Sequence, residues 1–189
     1  MTKPLTATEK SQIEMPVLRV LDLVNGLIGL VCKTVVVLAG LVMLGSIGLN
    51  VVARYIISVG GLNWAEEVPK LAFAWFIMAG VVLALQGGNH IAVDLIFRVL
   101  STRRRQVLVV VINLLITAAY IVLCSVALQV ADIAAAERNP LLGTPGSLGY
   151  YALAVGAALT AVGAVSIAIR VALLGPDAAP EGRPEDSVQ

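Results

Sequence analysis

Residues 34–53 run for twenty positions without a charge, between Lys33 and Arg54. At 1.5 Å per residue a helix of that length is about 30 Å long, the thickness of a bilayer's hydrocarbon core. Three further segments are long and apolar enough to do the same: about 68–85, 107–130 and about 150–172. A spanning barrel would instead show strands of about ten residues that alternate apolar and polar, and none is seen. Composition agrees, with 59% hydrophobic residues, 13% charged residues and a mean hydropathy of +0.93. Water-facing domains carry about 25% charge, so this chain cannot cover a soluble surface. The fold class is all-α integral membrane, with four transmembrane helices.

Lysine and arginine in short loops set the orientation of such a bundle. Lys3, Lys10, Arg19 and Lys33 precede or border the first span, and Arg98, Arg103, Arg104 and Arg105 lie between spans two and three. The first loop offers Arg54, with Lys70 at the start of the next helix, and the third offers Arg138 alone. Both termini and the middle loop are therefore expected on the cytoplasmic side. The first dozen residues are polar and no small-residue cleavage motif follows a short apolar core, so no cleavable signal peptide is expected. Cys32 and Cys124 fall near opposite ends of the bundle, which rules out a disulfide between them.

The expected layout is a disordered cytoplasmic N-terminus at 1–15, a single membrane domain at 16–174 and a disordered cytoplasmic tail at 175–189. Residues 16–33 place Arg19, Asp22, Gly26, Gly29 and Lys33 three or four apart. They suit a surface helix or a long tilted extension of the first span. An interfacial helix is expected at about 90–101, where His90, Asp94 and Arg98 fall four apart on an otherwise apolar helix. Arg103 to Arg105 would then meet anionic lipid headgroups. In the fourth span Ala152, Gly156, Thr160, Ala164 and Ala168 form a small-residue stripe for close helix packing. In the third, Asn113, Thr117, Tyr120 and Cys124 make a mildly polar face suited to hydrogen bonds between helices.

Chemistry is sparse. Ion and proton pathways place ionisable groups inside the membrane, whereas here Asp, Glu, Lys and Arg fall at span ends or in loops. A haem anchor generally needs two axial ligands, and His90 is the single histidine. His90 and Asp94 could orient an imidazole, but no serine or cysteine nucleophile is set against them. The sequence holds no phosphate loop, metal-ligand cluster or nucleotide motif, and the three arginines read as an orientation signal rather than a nucleic-acid patch. No enzyme activity and no cofactor are expected.

The one concentrated polar motif is Trp64-Ala65-Glu66-Glu67-Val68-Pro69-Lys70. Asn63 followed by Glu66 has the form of a capping box. Both glutamates suit a helix N-terminus, and Lys70 lies four residues after Glu66 and three after Glu67. Pro69 either begins the regular helix or follows a separate turn. Arg54 is near enough in sequence to pair with either carboxylate, and Trp64 suits the membrane interface. Capping with a loop tie and docking of a subunit both fit the motif.

The order Arg54, then W-A-E-E-V, then G-G-N-H-I-A-V-D, then N-P-L-L-G-T-P before Tyr150 and Tyr151 resembles the DctQ-type small membrane subunit of tripartite ATP-independent periplasmic (TRAP) transporters. The resemblance covers roughly residues 19–170, with Gly146-Ser147-Leu148-Gly149 where that family usually has an aromatic cluster. It implies an inner-membrane scaffold that docks a large multi-span subunit, which carries the substrate and sodium sites. A periplasmic binding protein would deliver organic acids, in direct contact or not. Arg54, Trp64, Glu66, Glu67 and Lys70 would organise one end of the bundle. His90, Asp94 and Arg98 would set the interfacial helix against the spans or the lipid. A four-helix anchor or assembly subunit of another complex, such as a redox complex, is the alternative.

Overall fold

The computed structural model describes residues 7–56, 62–88 and 101–178, the side chains of residues 7–15 and 177 excepted. Among the described residues four helices make up the bundle: α1 (Ala7–Tyr55), α2 (Asn63–Gln86), α3 (Thr102–Ala134) and α4 (Ser147–Leu174). A 3₁₀ turn, Pro176–Ala178, follows α4 after Gly175, whose φ of 100° ends the helix. All four helices contain windows apolar enough to cross a membrane. The expected interfacial helix with His90, Asp94 and Arg98 lies outside the described residues, as do residues 1–6 and 179–189.

Residues 16–33 continue the first span as one helix instead of forming a separate element. Its apolar part, Pro16–Tyr55, has 40 residues and so measures about 60 Å, roughly twice the hydrocarbon thickness. It must tilt steeply or project beyond the bilayer. α1 begins at Ala7, within the stretch read from the sequence as disordered, and runs through Pro16.

α1 packs antiparallel on α2, α3 packs antiparallel on α4, and α2 against α4 joins the two pairs. As α1 advances from Gly29 to Gly40 to Asn50, its neighbour on α2 retreats from Gln86 to Phe76 to Glu66. α2 and α4 instead run parallel. Met78 faces Gly156, and seven residues on Leu85 faces Gly163. One pair of turns on each helix thus keeps the same partner spacing.

The small-residue stripe explains why α4 is the most buried helix. Ala152, Gly156, Thr160, Ala164 and Ala168 are all buried, together with Ala157, Ala161 and Gly163 on neighbouring positions. In lipid, leucine gains little by leaving the apolar solvent, so helices associate where small residues allow close approach. Large side chains are accordingly left outside, among them Leu30, Leu38, Leu41 and Leu44 on α1 and Leu114, Leu115, Ile121 and Val122 on α3. Between α1 and α2 a smaller core forms from Cys32, Ala79 and Val82, with Ile28, Val35 and Leu83 packed around it. Cys32 and Cys124 are both free thiols.

The polar face of α3 behaves differently from expectation. Asn113 and Thr117 are buried, but Asn113 Nδ2 donates to the Val109 carbonyl at 2.9 Å and Thr117 Oγ1 to the Asn113 carbonyl at 2.8 Å. Both bonds stay within their own helix. A carbonyl four residues back satisfies the side chain without requiring a partner on α4, where small side chains reach in.

Candidate functional site

Polar contacts gather at the two ends of the bundle. At the glutamate end meet the last turn of α1, the first turns of α2 and the loop between α3 and α4. Leu62, with extended backbone, is the residue ahead of α2, and its carbonyl accepts from Ala65 N at 2.8 Å. No side chain caps this helix from within. The capping box expected of Asn63 and Glu66 is therefore not formed. Asn50 Oδ1, reaching over from α1, accepts from Leu62 N at 2.9 Å, and helical geometry begins at Asn63 itself. α2 also runs unbroken through Pro69, so the W-A-E-E turn belongs to it.

Freed from capping, the glutamates divide. Glu66 Oε1 accepts from Asn50 Nδ2 at 3.1 Å and lies 3.9 Å from Arg54 Nη2, in a half-exposed setting. Glu67 Oε1 accepts from Lys70 Nζ at 2.6 Å, while its Oε2 accepts from Asn139 Nδ2 at 2.9 Å. The Glu67 side chain is only 18% exposed, against 52% for Glu66. Glu66 joins α2 to α1; Glu67 joins α2 to the α3–α4 loop. Among the described residues they share no partner. Trp64 is exposed on the same first turn.

The loop that supplies Asn139 is tightly built. Asn139 Oδ1 accepts from Leu141 N at 2.9 Å and Leu142 N at 3.1 Å, the Asx turn that an Asn-Pro pair favours. Gly143, at φ 67°, returns its N–H to the Asn139 carbonyl at 2.9 Å. Asn139 N then donates to the Thr144 carbonyl, and Gly146 N to Glu137, both at 2.9 Å. Two glycine-assisted turns thus hold one amide donor toward α2.

At the opposite, arginine end, Asp22 of α1 pairs with Arg170 of α4. One turn along, Asn25 Nδ2 donates to Ser166 Oγ, and Gln86 Nε2 donates to the Asn25 carbonyl at 3.1 Å. Asn25, Gln86, Ser166 and Arg170 border a cleft of about 320 Å³ between α1, α2 and α4. From α3, Gln106 Nε2 donates to the carbonyls of Val171 and Ala172 at 3.0 and 3.2 Å, satisfying groups that the end of α4 leaves open. Among the described residues no cluster of His, Cys, Asp and Glu could hold a metal ion. The arrangement clamps helices. It presents no poised nucleophile.

Residues 43–174 match the family of tripartite ATP-independent periplasmic transporters, DctQ component. The chain belongs to this family. It is 40% identical over 145 residues to an uncharacterized protein, y4mM, of Sinorhizobium fredii, covering 77% of this chain and 27% of that relative. It is 27% identical over 121 residues to a putative TRAP transporter small permease protein of Haemophilus influenzae, covering 64% of this chain and 73% of that one. The chain thus spans about a quarter of the first relative's length and most of the second's. Membership and four membrane-length helices make it a multi-pass inner-membrane protein of the DctQ component family.

The DctQ match takes in the whole glutamate end, from Asn50 to the Asn139 loop, and the α4 side of the arginine end. Asp22 and Asn25 lie before it. Of the residues singled out from the sequence, Arg54, Glu66, Glu67 and Lys70 are brought together, with Trp64 beside them. His90, Asp94 and Arg98 fall outside the described residues. Asn50, Asn139, Asn25, Gln86 and Gln106 were not singled out. A polar residue within an apolar span must find a partner, and that signal alone could have flagged Asn50 and Asn25.

Proposed function

We propose that this DctQ chain is the fixed scaffold of a sodium-coupled TRAP transporter. It docks a large multi-span membrane subunit during uptake of organic acids delivered by a periplasmic binding protein. The observation that carries this reading is the division of labour between Glu66 and Glu67. Two neighbouring carboxylates tie three separate segments into one end, while the Asp22–Arg170 pair with the Asn25, Ser166 and Gln86 bonds ties α1, α2 and α4 at the other. Between the ends, the exposed faces of α1 and α3 present large apolar side chains to lipid or a partner. A rigid body with an apolar flank suits a support against which a second subunit moves. In this reading Arg54, Trp64, Glu66, Glu67 and Lys70 organise the periplasmic end. His90, Asp94 and Arg98 place the segment between α2 and α3 against the cytoplasmic headgroups, and both termini are cytoplasmic.

The test is sodium-driven uptake in proteoliposomes that contain the large subunit and binding protein, with and without this chain. Uptake should fall when the chain is omitted, and Glu66→Gln with Glu67→Gln should reduce recovery of the large subunit by affinity purification. Unchanged uptake without the chain would reject the scaffold role. Haem or flavin in the purified complex would favour a redox anchor instead.

A further inference from the structure

The first turns of α3 carry Arg103, Arg104 and Arg105 and no carboxylate. Arg103 and Arg104 are exposed, and among the described residues neither lies within ion-pair distance of an acidic side chain. Cations at the positive end of a helix repel the local dipole, so an anion at this place stabilises the fold. Below the arginines the helix changes character. Val107 and Leu108 lie one turn on and Val111 a further turn, and with Ser101, Arg103 and Arg104 they line an open groove of about 570 Å³. Arg103 and Val111 are separated by about 12 Å along the axis. Charge at one end and hydrocarbon along the rest is the order found in a phospholipid. A soluble anion would match only the arginines, leaving the valine and leucine floor bare.

We propose that this groove holds one anionic phospholipid, its phosphate between Arg103 and Arg104 and an acyl chain along Val107, Leu108 and Val111. Each arginine near a headgroup contributes about 5-fold in affinity, so the pair gives roughly 30-fold selectivity over a zwitterionic lipid. The inference goes beyond the scaffold role and does not depend on a partner subunit. An anionic lipid held here would fix the depth of α3 in the membrane.

Native mass spectrometry of the full chain in detergent, titrated with phosphatidylglycerol or phosphatidylcholine, tests it. One phosphatidylglycerol should be retained at least about 10-fold more tightly than phosphatidylcholine. R103Q with R104Q should abolish most of that preference, whereas K33Q, which removes an exposed cation elsewhere, should leave it intact. V111W, which fills the groove while keeping the arginines, should weaken binding by a similar factor. Circular dichroism checks that each variant stays helical. The proposal is overturned by absence of preference, by preference that survives R103Q/R104Q, or by an equal loss in K33Q. It is also overturned if V111W binds normally and inorganic phosphate competes as well as the lipid does.

Discussion

Asn139 donates its side-chain amide to Glu67 at 2.9 Å across 72 residues of sequence, while its carbonyl oxygen holds the N–H groups of Leu141 and Leu142. One side chain therefore folds its own loop and anchors that loop to α2. Its two functions separate by atom, which makes them separable by substitution.

Asn139→Asp keeps the oxygen for the turn but sets a second carboxylate against Glu67, whereas Asn139→Ala removes both contacts. Both should lower the melting temperature of the detergent-solubilised chain. Adding Glu67→Gln should restore much of the Asp variant, because the new amide can donate to the new carboxylate. The same addition should not restore the Ala variant. Equal failure in both backgrounds would reject a direct contact between positions 67 and 139.

At Glu66 the two partners are unequal. Asn50 makes two bonds, one to Glu66 at 3.1 Å and one to Leu62 N at 2.9 Å, while Arg54 stands 3.9 Å off and is more than half exposed. Exposed ion pairs contribute about 0–1 kcal/mol, and orphaning a backbone N–H costs about 1–3 kcal/mol. Asn50→Ala should therefore destabilise more than Arg54→Ala, and hydrogen exchange at the Leu62 amide should rise only in the former. The reverse ranking would mean that charge, not the backbone bond, holds the α1–α2 turn.

The four membrane-length helices could be read from the sequence because span length and the absence of charge are local properties. The stripe from Ala152 to Ala168 was legible for the same reason: fourfold spacing in an apolar helix has one geometric meaning. Asn139 was not legible as a site residue, and Asn50 was legible only as a polar group in need of a partner, since both partners are set by where the chain returns. The capping box was misread through its own plausibility. Asn63 and Glu66 have the right spacing, but a side chain from α1 reaches the Leu62 N–H, and no local pattern encodes that competitor.

Asp22 and Arg170 form the most conspicuous ion pair in the sequence's arginine-rich end, yet it is a surface pair. Their side chains are 60% and 31% exposed, so Asp22→Asn should cost no more than about 1 kcal/mol. Salt should shrink the effect further, as the Debye length falls from about 10 Å at 0.1 M to about 3 Å at 1 M. Asn25→Leu should cost more, because it strands the buried Ser166 hydroxyl, which is 2% exposed, at about 1–3 kcal/mol. Melting curves at low and high salt rank the two. A larger loss for Asp22→Asn at high salt would show that burial is the wrong guide here.

Gly156 is the tightest point between α2 and α4. A methyl group placed there would sit 2.5 Å from Met78 Cβ and 2.7 Å from its Cε, closer than real carbons approach. Gly156→Ala should therefore separate the helices and cost about 1–3 kcal/mol, despite the higher helix propensity of alanine. Gly45→Ala on α1 is the control, since nothing lies within 4 Å of the added methyl. There the propensity gain of about 1 kcal/mol should leave the chain unchanged or more stable. Met78→Ala cannot rescue Gly156→Ala, because alanine retains the offending Cβ. Met78→Gly can, by moving the missing Cβ to the other side of the interface. Melting of the double variants decides it. Rescue by Met78→Ala as complete as by Met78→Gly would place the clash at the flexible thioether end, and the backbone approach of α2 to α4 would be looser than described.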